Sequence, residues 1–148
     1  MRRGERESVR PRDRESVRPE TNDPMDKIRR HRDLKVWQKA IDAAMAVFEV
    51  TKNFPSVEKF SLTDQIRRSS RSAPAQISEA WRKRRYAAAF VSKLNDAEGE
   101  AAETQTHVEI ARRCKYLSDA EAAGLDGIYE EILAMLATMS NRPEKWCL

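Results

Sequence analysis

The chain holds two cysteines, two histidines, four glycines and six prolines in 148 residues. Cys114 and Cys147 form no metal-ligand spacing and no disulfide framework. Four glycines exclude a collagen-like or linker sequence. No run approaches 18 apolar residues, so no transmembrane helix is expected. The N-terminus lacks the apolar stretch of a secretory signal, and the expected compartment is the cytoplasm, where thiols stay reduced. Cys114 is then a semi-buried thiol near a helix end, and Cys147 a free one in a tail. Phosphate-binding glycine loops, nucleophile elbows and paired-cysteine motifs are all missing.

The histidines do not repair the shortage of catalytic groups. His31 lies among Arg29, Arg30 and Arg32. His107 follows Glu103 by four residues, whereas a di-iron bundle needs Glu-x-x-His on two helices and two further glutamates. Cys114 and His107 stand seven residues apart, about 10 Å along a helix, too far for a nucleophile and its base. The expectation is a protein without enzymatic activity, metal, cofactor or small-molecule substrate.

What the chain does have is charge, at 35% of residues, and a net +4. Residues 1–32 carry 11 basic and 7 acidic side chains, and residues 33–148 carry 17 of each. The excess belongs to the first segment, where Arg6-Glu7-Ser8-Val9-Arg10-Pro11 recurs as Arg14-Glu15-Ser16-Val17-Arg18-Pro19. That segment has too few apolar side chains to offset its ordering entropy, so residues 1–32 are expected to be a disordered basic tail. It is either an arm that touches nucleic acid or a duplicated extension, and Met25 is a candidate native start.

Four helical patterns follow, with no competing strand signal. The first spans about Asp33 to Asn53, capped by Asp33. Its stripe is Leu34, Trp37, Ile41, Met45 and Phe48, flanked by Val36, Val47 and Val50, and it ends at Phe54-Pro55. The second spans about Leu62 to Arg82 with Ser61 as cap. The middle of its stripe (Ser69, Ala73) is small, and Pro74 predicts a kink with nearby hydroxyls rebonding the freed carbonyl. The third spans about Tyr86 to Tyr116, with Gly99 mid-helix suggesting close packing. The fourth spans about Asp119 to Ser140 behind a Ser118–Glu121 capping box. These predict an all-α, antiparallel up-and-down four-helix bundle over residues 33–140 and a C-terminal tail over 141–148.

The bundle is neutral but polarised. From Leu62 to Arg85 stand Arg67, Arg68, Arg71, Arg82, Lys83, Arg84 and Arg85, against only Asp64 and Glu79. The fourth helix carries Asp119, Glu121, Asp126, Glu130 and Glu131 and no basic residue. Three readings follow. The seven basic residues form a solvated face with a charge clamp at the helix end, or they track phosphates, with Trp81 and Tyr86 either stacking on bases or buried in the bundle, or they pair with Asp126, Glu130 or Glu131 of a neighbouring copy. The apolar positions Val36, Val47, Val50, Tyr129, Leu133 and Leu136 either widen the core stripe or supply a self-association face.

Asp33-Leu34-Lys35-Val36-Trp37-Gln38-Lys39-Ala40, then Thr51-Lys52-Asn53-Phe54-Pro55, Glu58, Phe60 and Leu62, resemble a known family. So do Gln65-Ile66-Arg67-Arg68-Ser69-Ser70 and Ser72-Ala73-Pro74-Ala75-Gln76-Ile77-Ser78-Glu79-Ala80. These segments are similar to the four-helix-bundle proteins encoded in bacterial 23S ribosomal RNA intervening sequences. The resemblance spans about Asp33 to Ser140. It implies an antiparallel four-helix bundle, assembly into rings that are typically pentamers, and no known catalysis. A related branch serves diversity-generating retroelements as an accessory protein that contacts reverse transcriptase and nucleic acid. Where the family has asparagine and glycine, this chain has Gln76 and Ala80, which implies a longer second helix. The Arg67-Arg68 pair matches the family pattern, and RNA or DNA binding is carried onto it. The alternative is a protein-interaction scaffold, such as a reverse-transcriptase accessory subunit.

Overall fold

The residues with the strongest local preferences set the helix ends. In the computed structural model, which describes residues 28–148, the helices are α1 (Lys35–Thr51), α2 (Leu62–Arg82), α3 (Ala87–Arg113) and α4 (Asp119–Asn141). The capping box at α4 forms as its sequence requires. The Glu121 amide donates to Ser118 Oγ at 3.0 Å and the Ser118 amide to Glu121 Oε1 at 2.9 Å. α3 stops three residues short of the expected Tyr116 because Lys115 turns left-handed, with φ of +67°. The Tyr116 amide then reaches the Ala111 carbonyl at 2.9 Å and the Lys115 amide the Arg112 carbonyl at 3.0 Å. This is a Schellman ending with lysine where glycine is usual.

Two expected caps do other work. Asp33 accepts the amides of Arg29 and Arg30, at 2.9 and 3.1 Å, and closes a 3₁₀ turn over His31–Asp33, so Leu34 precedes α1 instead. Ser61 makes no side-chain cap; its hydroxyl donates to Glu58 at 2.6 Å. α2 runs unbroken through Pro74 and past Ala80, as the missing glycine implied. The hydroxyls of Ser69, Ser70 and Ser78 bind the carbonyls of Ile66, Arg67 and Pro74, so none rebonds the one that Pro74 frees.

Each helix packs against two neighbours: α1 on α2 and α4, and α3 on the same two. α2 and α4 therefore occupy opposite corners of the bundle. The closest pair is α2 with α3, where small side chains meet and Ser69 Oγ lies 2.8 Å from Thr104 Oγ1. Around this seam Ile66, Ile77, Phe90, Leu94, Tyr129, Ile132 and Leu136 are fully buried. The Tyr129 hydroxyl is buried without a hydrogen-bond partner, and burial raises its pKa above the ordinary phenol range.

α1 buries a different face from the one its largest side chains suggest. Val36, Ala40, Ala43, Val47 and Thr51 face the core, while Trp37, Ile41 and Phe48 are half-buried and Met45 is exposed. Both stripes have helical period; the smaller one fits a corner where two helices approach at once. Val36, Val47, Tyr129 and Leu136, one option for a self-association face, are core, and Val50 and Leu133 pack against it. Gly99 is exposed, and no neighbouring atom lies within 4 Å of the point a Cβ would occupy, so close packing is not its reason.

The ends of the described chain are tied down. Ile28 packs on the core and the His31 ring meets Trp37 edge-on at 5.3 Å, both inside the stretch expected as tail. The rest of that expectation, residues 1–27, lies outside the described residues. At the other end, in the segment expected as a C-terminal tail, a 3₁₀ turn over Pro143–Lys145 sets Trp146 and Cys147 against the core. Cys114, expected semi-buried, is exposed. Among the described residues no helix is long and apolar enough to cross a membrane.

Candidate nucleic-acid interface

The basic residues of α2 are placed by what happens in the connection before it. Phe54 is buried and packs at 5.5 Å on the Tyr116 ring. The Tyr116 hydroxyl donates to Glu58 Oε2 at 2.9 Å, and the other oxygen of Glu58 takes the Ser61 hydroxyl and the Leu62 amide. The bonds from Ser61 and Tyr116 hold the Glu58 carboxyl below its ordinary pKa. Glu58 thus supplies the anion that favours the start of α2, and it clamps the connection to the end of α3.

From that anchored start, Arg67, Arg68 and Arg71 project together. Arg67 is the most constrained. Its guanidinium carbon stands 4.9 Å from the Phe48 ring centre, and its Nε donates to Thr51 Oγ1 at 2.8 Å. Its terminal amino groups have no hydrogen-bond partner among the described residues. Arg68 reaches Asp64 at 3.1 Å, a surface pair with the arginine 79% exposed, so its charge is only weakly held. Arg71 is exposed and has no ionic partner among the described residues. With Lys59, Phe60, Thr63 and Asp64 they line an open depression of about 450 Å³.

Arg82 closes the far end of α2, about 16 Å from Arg71 by helix rise, and Lys83, Arg84 and Arg85 follow it. The fold does not bring them to the depression. Arg82, Lys83 and Arg85 are exposed. Arg84 is built in: its guanidinium lies 3.5 Å over the Trp81 ring, and its Nε donates to the Trp81 carbonyl at 2.8 Å. Its own carbonyl accepts the Leu148 amide at 3.1 Å. Burial lowers its pKa below the usual arginine value. Of the two flanking aromatics, Trp81 is buried and Tyr86 is 67% exposed.

The counter-charges are distributed unevenly. Glu79, one of the two acids on α2, pairs with Lys93 of α3 at 2.9 Å, which lowers its pKa. On α4, Glu131 pairs with Lys39, Asp119 with Arg112, Glu130 accepts from Gln105, and Glu121 serves the capping box. Most of the acidic helix is satisfied within the chain, whereas most of the basic residues point outward unpaired among the described residues.

The remaining candidates for chemistry are separate. His107 is buried, its Nε2 is 3.4 Å from Glu103, and neither ring nitrogen has a hydrogen bond. The described residues contain no group of three His, Cys, Asp or Glu side chains able to hold a metal. Lys59 and Phe60 are the part of the depression that helix periodicity misses. They lie in the connection, and the available signal is an aromatic next to a lysine in a segment with no face to bury it.

Comparison with known proteins gives a consistent picture. A family model described as 23S rRNA-intervening sequence protein matches residues 32–138. Among solved structures, the chain is similar to a protein of unknown function from the S23 ribosomal protein family of Bacteroides thetaiotaomicron. The two are 29% identical with a TM-score of 0.65, over 71% of this chain and 97% of that one. A comparison with curated proteins gives no match.

Proposed function

The chain belongs to the 23S rRNA-intervening sequence protein family, and from that premise we propose that it is a non-catalytic, self-associating bundle that binds RNA or DNA. The binding surface is the α2 cluster of Arg67, Arg68 and Arg71, with Arg82, Lys83 and Arg85 extending it. Arg84 contributes charge from a fixed position. The observation that carries this reading is the imbalance in pairing: Glu79 is neutralised by Lys93, and Arg71 is left facing solvent beside Arg67 and Arg68. Such a surface contacts phosphates without reading sequence. Titrating labelled RNA and DNA at several salt concentrations tests it. Binding that weakens steeply with salt, and whose slope falls when the three arginines become alanine, supports the reading.

Self-association draws support from the diagonal placement of α2 and α4. Because the two corners lie apart, a head-to-tail contact made away from α2 leaves its arginines free; it closes into a ring when the rotation allows, and a pentamer is the form we propose. A second reading makes the protein a scaffold for a protein partner, such as a reverse-transcriptase subunit, with basic α2 used to pair with acidic α4 of a neighbouring copy. The exposed Met45 and Ile110, at 55% and 43%, favour it. Light scattering separates the readings: subunit pairing through α2 loosens in high salt and leaves no arginine available for nucleic acid. We place the protein in the cytoplasm, where the exposed Cys114 thiol suits a reducing compartment.

A further inference from the structure

Phe60 is 88% exposed, the most exposed large apolar side chain on the described surface. Its position is what gives this meaning. It stands in the wall of the depression that Lys59, Arg67, Arg68 and Arg71 also line, and the Lys59 ammonium lies 5.4 Å from its ring centre. An aromatic face left in water among four cations is poorly explained by folding, because the connection buries Phe54 and not Phe60. It also sits at the end of α2 that Glu58, Ser61 and Tyr116 anchor, so the backbone that carries the ring is held beside the start of the helix that carries the arginines.

We propose that this depression takes single-stranded nucleic acid, with an unpaired base stacked on Phe60 and the flanking phosphates held by Lys59, Arg67, Arg68 and Arg71. This rests on the nucleic-acid reading above and adds the strandedness and the stacking residue. In a duplex each base already stacks on its neighbours and offers no face to a side chain, whereas a single strand offers one at every nucleotide. The pairing of aromatic and cations serves each part of a nucleotide separately: the ring takes the base, and the cations take the charge on either side. An acidic protein segment would satisfy the arginines but leave the ring without a planar partner. Asp64, 3.1 Å from Arg68, is the one acid in the lining against Lys59, Arg67, Arg68 and Arg71, so the depression stays net positive.

The test uses the full chain with a 2-aminopurine-labelled single strand of about 12 nucleotides and the matching duplex, at low salt. The variants are Phe60→Leu, Phe60→Trp and the triple alanine variant of Arg67, Arg68 and Arg71. Phe60→Leu is expected to weaken single-strand binding about ten-fold and to abolish the stacking change in 2-aminopurine fluorescence. Its salt slope stays that of the parent, because no phosphate contact is lost, and its thermal stability is unchanged. Phe60→Trp restores binding. The arginine variant instead flattens the slope by about 2. The stacking inference alone is overturned if the parent binds duplex as tightly as single strand, or if Phe60→Leu binds like the parent. If the parent binds neither probe, the nucleic-acid reading fails and this inference with it. If Phe60→Leu changes the oligomer mass and not the binding, Phe60 is a protein contact and the inference is wrong.

Discussion

The guanidinium of Arg67 stands 4.9 Å from the centre of the Phe48 ring. Phe48 belongs to the large-residue stripe of α1, yet it is half-buried because its face of the helix leans on α2. The ring and the Thr51 hydroxyl hold Arg67 in one orientation, with its terminal amino groups turned away from them. Phe48→Leu keeps the apolar bulk and removes the π face. It is expected to weaken RNA or DNA binding about 2- to 5-fold, the worth of an exposed cation–π contact. Fluorescence anisotropy at fixed salt measures this, and an unchanged affinity would mean that the orientation of Arg67 is irrelevant.

Arg84 stacks more closely still, 3.5 Å over Trp81, yet it joins the last turn of α2 to the C-terminal segment. Arg84→Ala is expected to destabilise the bundle by about 1 kcal/mol. Arg82→Ala and Arg85→Ala, at exposed positions, should stay within about 0.5 kcal/mol. Urea unfolding of the three variants checks the contrast, and equal stabilities would show that Arg84 is as loose as its neighbours.

Two backbone substitutions should stabilise the protein for opposite reasons. Lys115 adopts a left-handed conformation that costs a side-chain-bearing residue about 1 kcal/mol, and Lys115→Gly relieves it. Gly99 lies mid-helix with open space around it, and Gly99→Ala gains about 1 kcal/mol of helix propensity. Both midpoints in urea should rise with no change in slope. A loss of stability in Gly99→Ala would point to an intermolecular contact at that face.

Acid should loosen the end of α3 in a defined window. Glu109 bonds Arg112 and Arg113, which lower its pKa from 4.5 to about 2. A carboxyl depressed on folding contributes stability above its unfolded value, and that contribution is lost as pH falls from 4.5 towards 2. Glu58 acts in the same direction through Ser61 and Tyr116. Thermal midpoints of the parent and Glu109→Gln should differ above pH 4.5 and converge near pH 2. Parallel curves across that window would show that the cluster is not linked to folding.

Helix number, order and most boundaries were legible because they rest on local chemistry: Pro55, the Ser118–Glu121 box, and four separate stripes. The face of α1 was not. Its two stripes have the same period, and only the approach of α2 and α4 chooses between Val36-Ala40-Val47 and Trp37-Ile41-Met45. Arg67, Arg68 and Arg71 were legible as a cluster because three to four residues separate neighbours on one helix face. Sequence had no way to separate Arg84 from Arg82 and Arg85, since its partner is a ring below it and a chain end far away in sequence. Lys59 and Phe60 escaped for a related reason: a connection has no periodicity, so exposure there is decided by the packing of Phe54 on Tyr116.

The salt dependence of binding in the parent and in the triple alanine variant of Arg67, Arg68 and Arg71 tests the central claim most directly. Both proteins are titrated with the same single-stranded RNA, and log K is plotted against log salt concentration. The account predicts a steep negative slope for the parent and a slope shallower by about 2 for the variant, with much weaker binding at low salt. Identical slopes and affinities would contradict it.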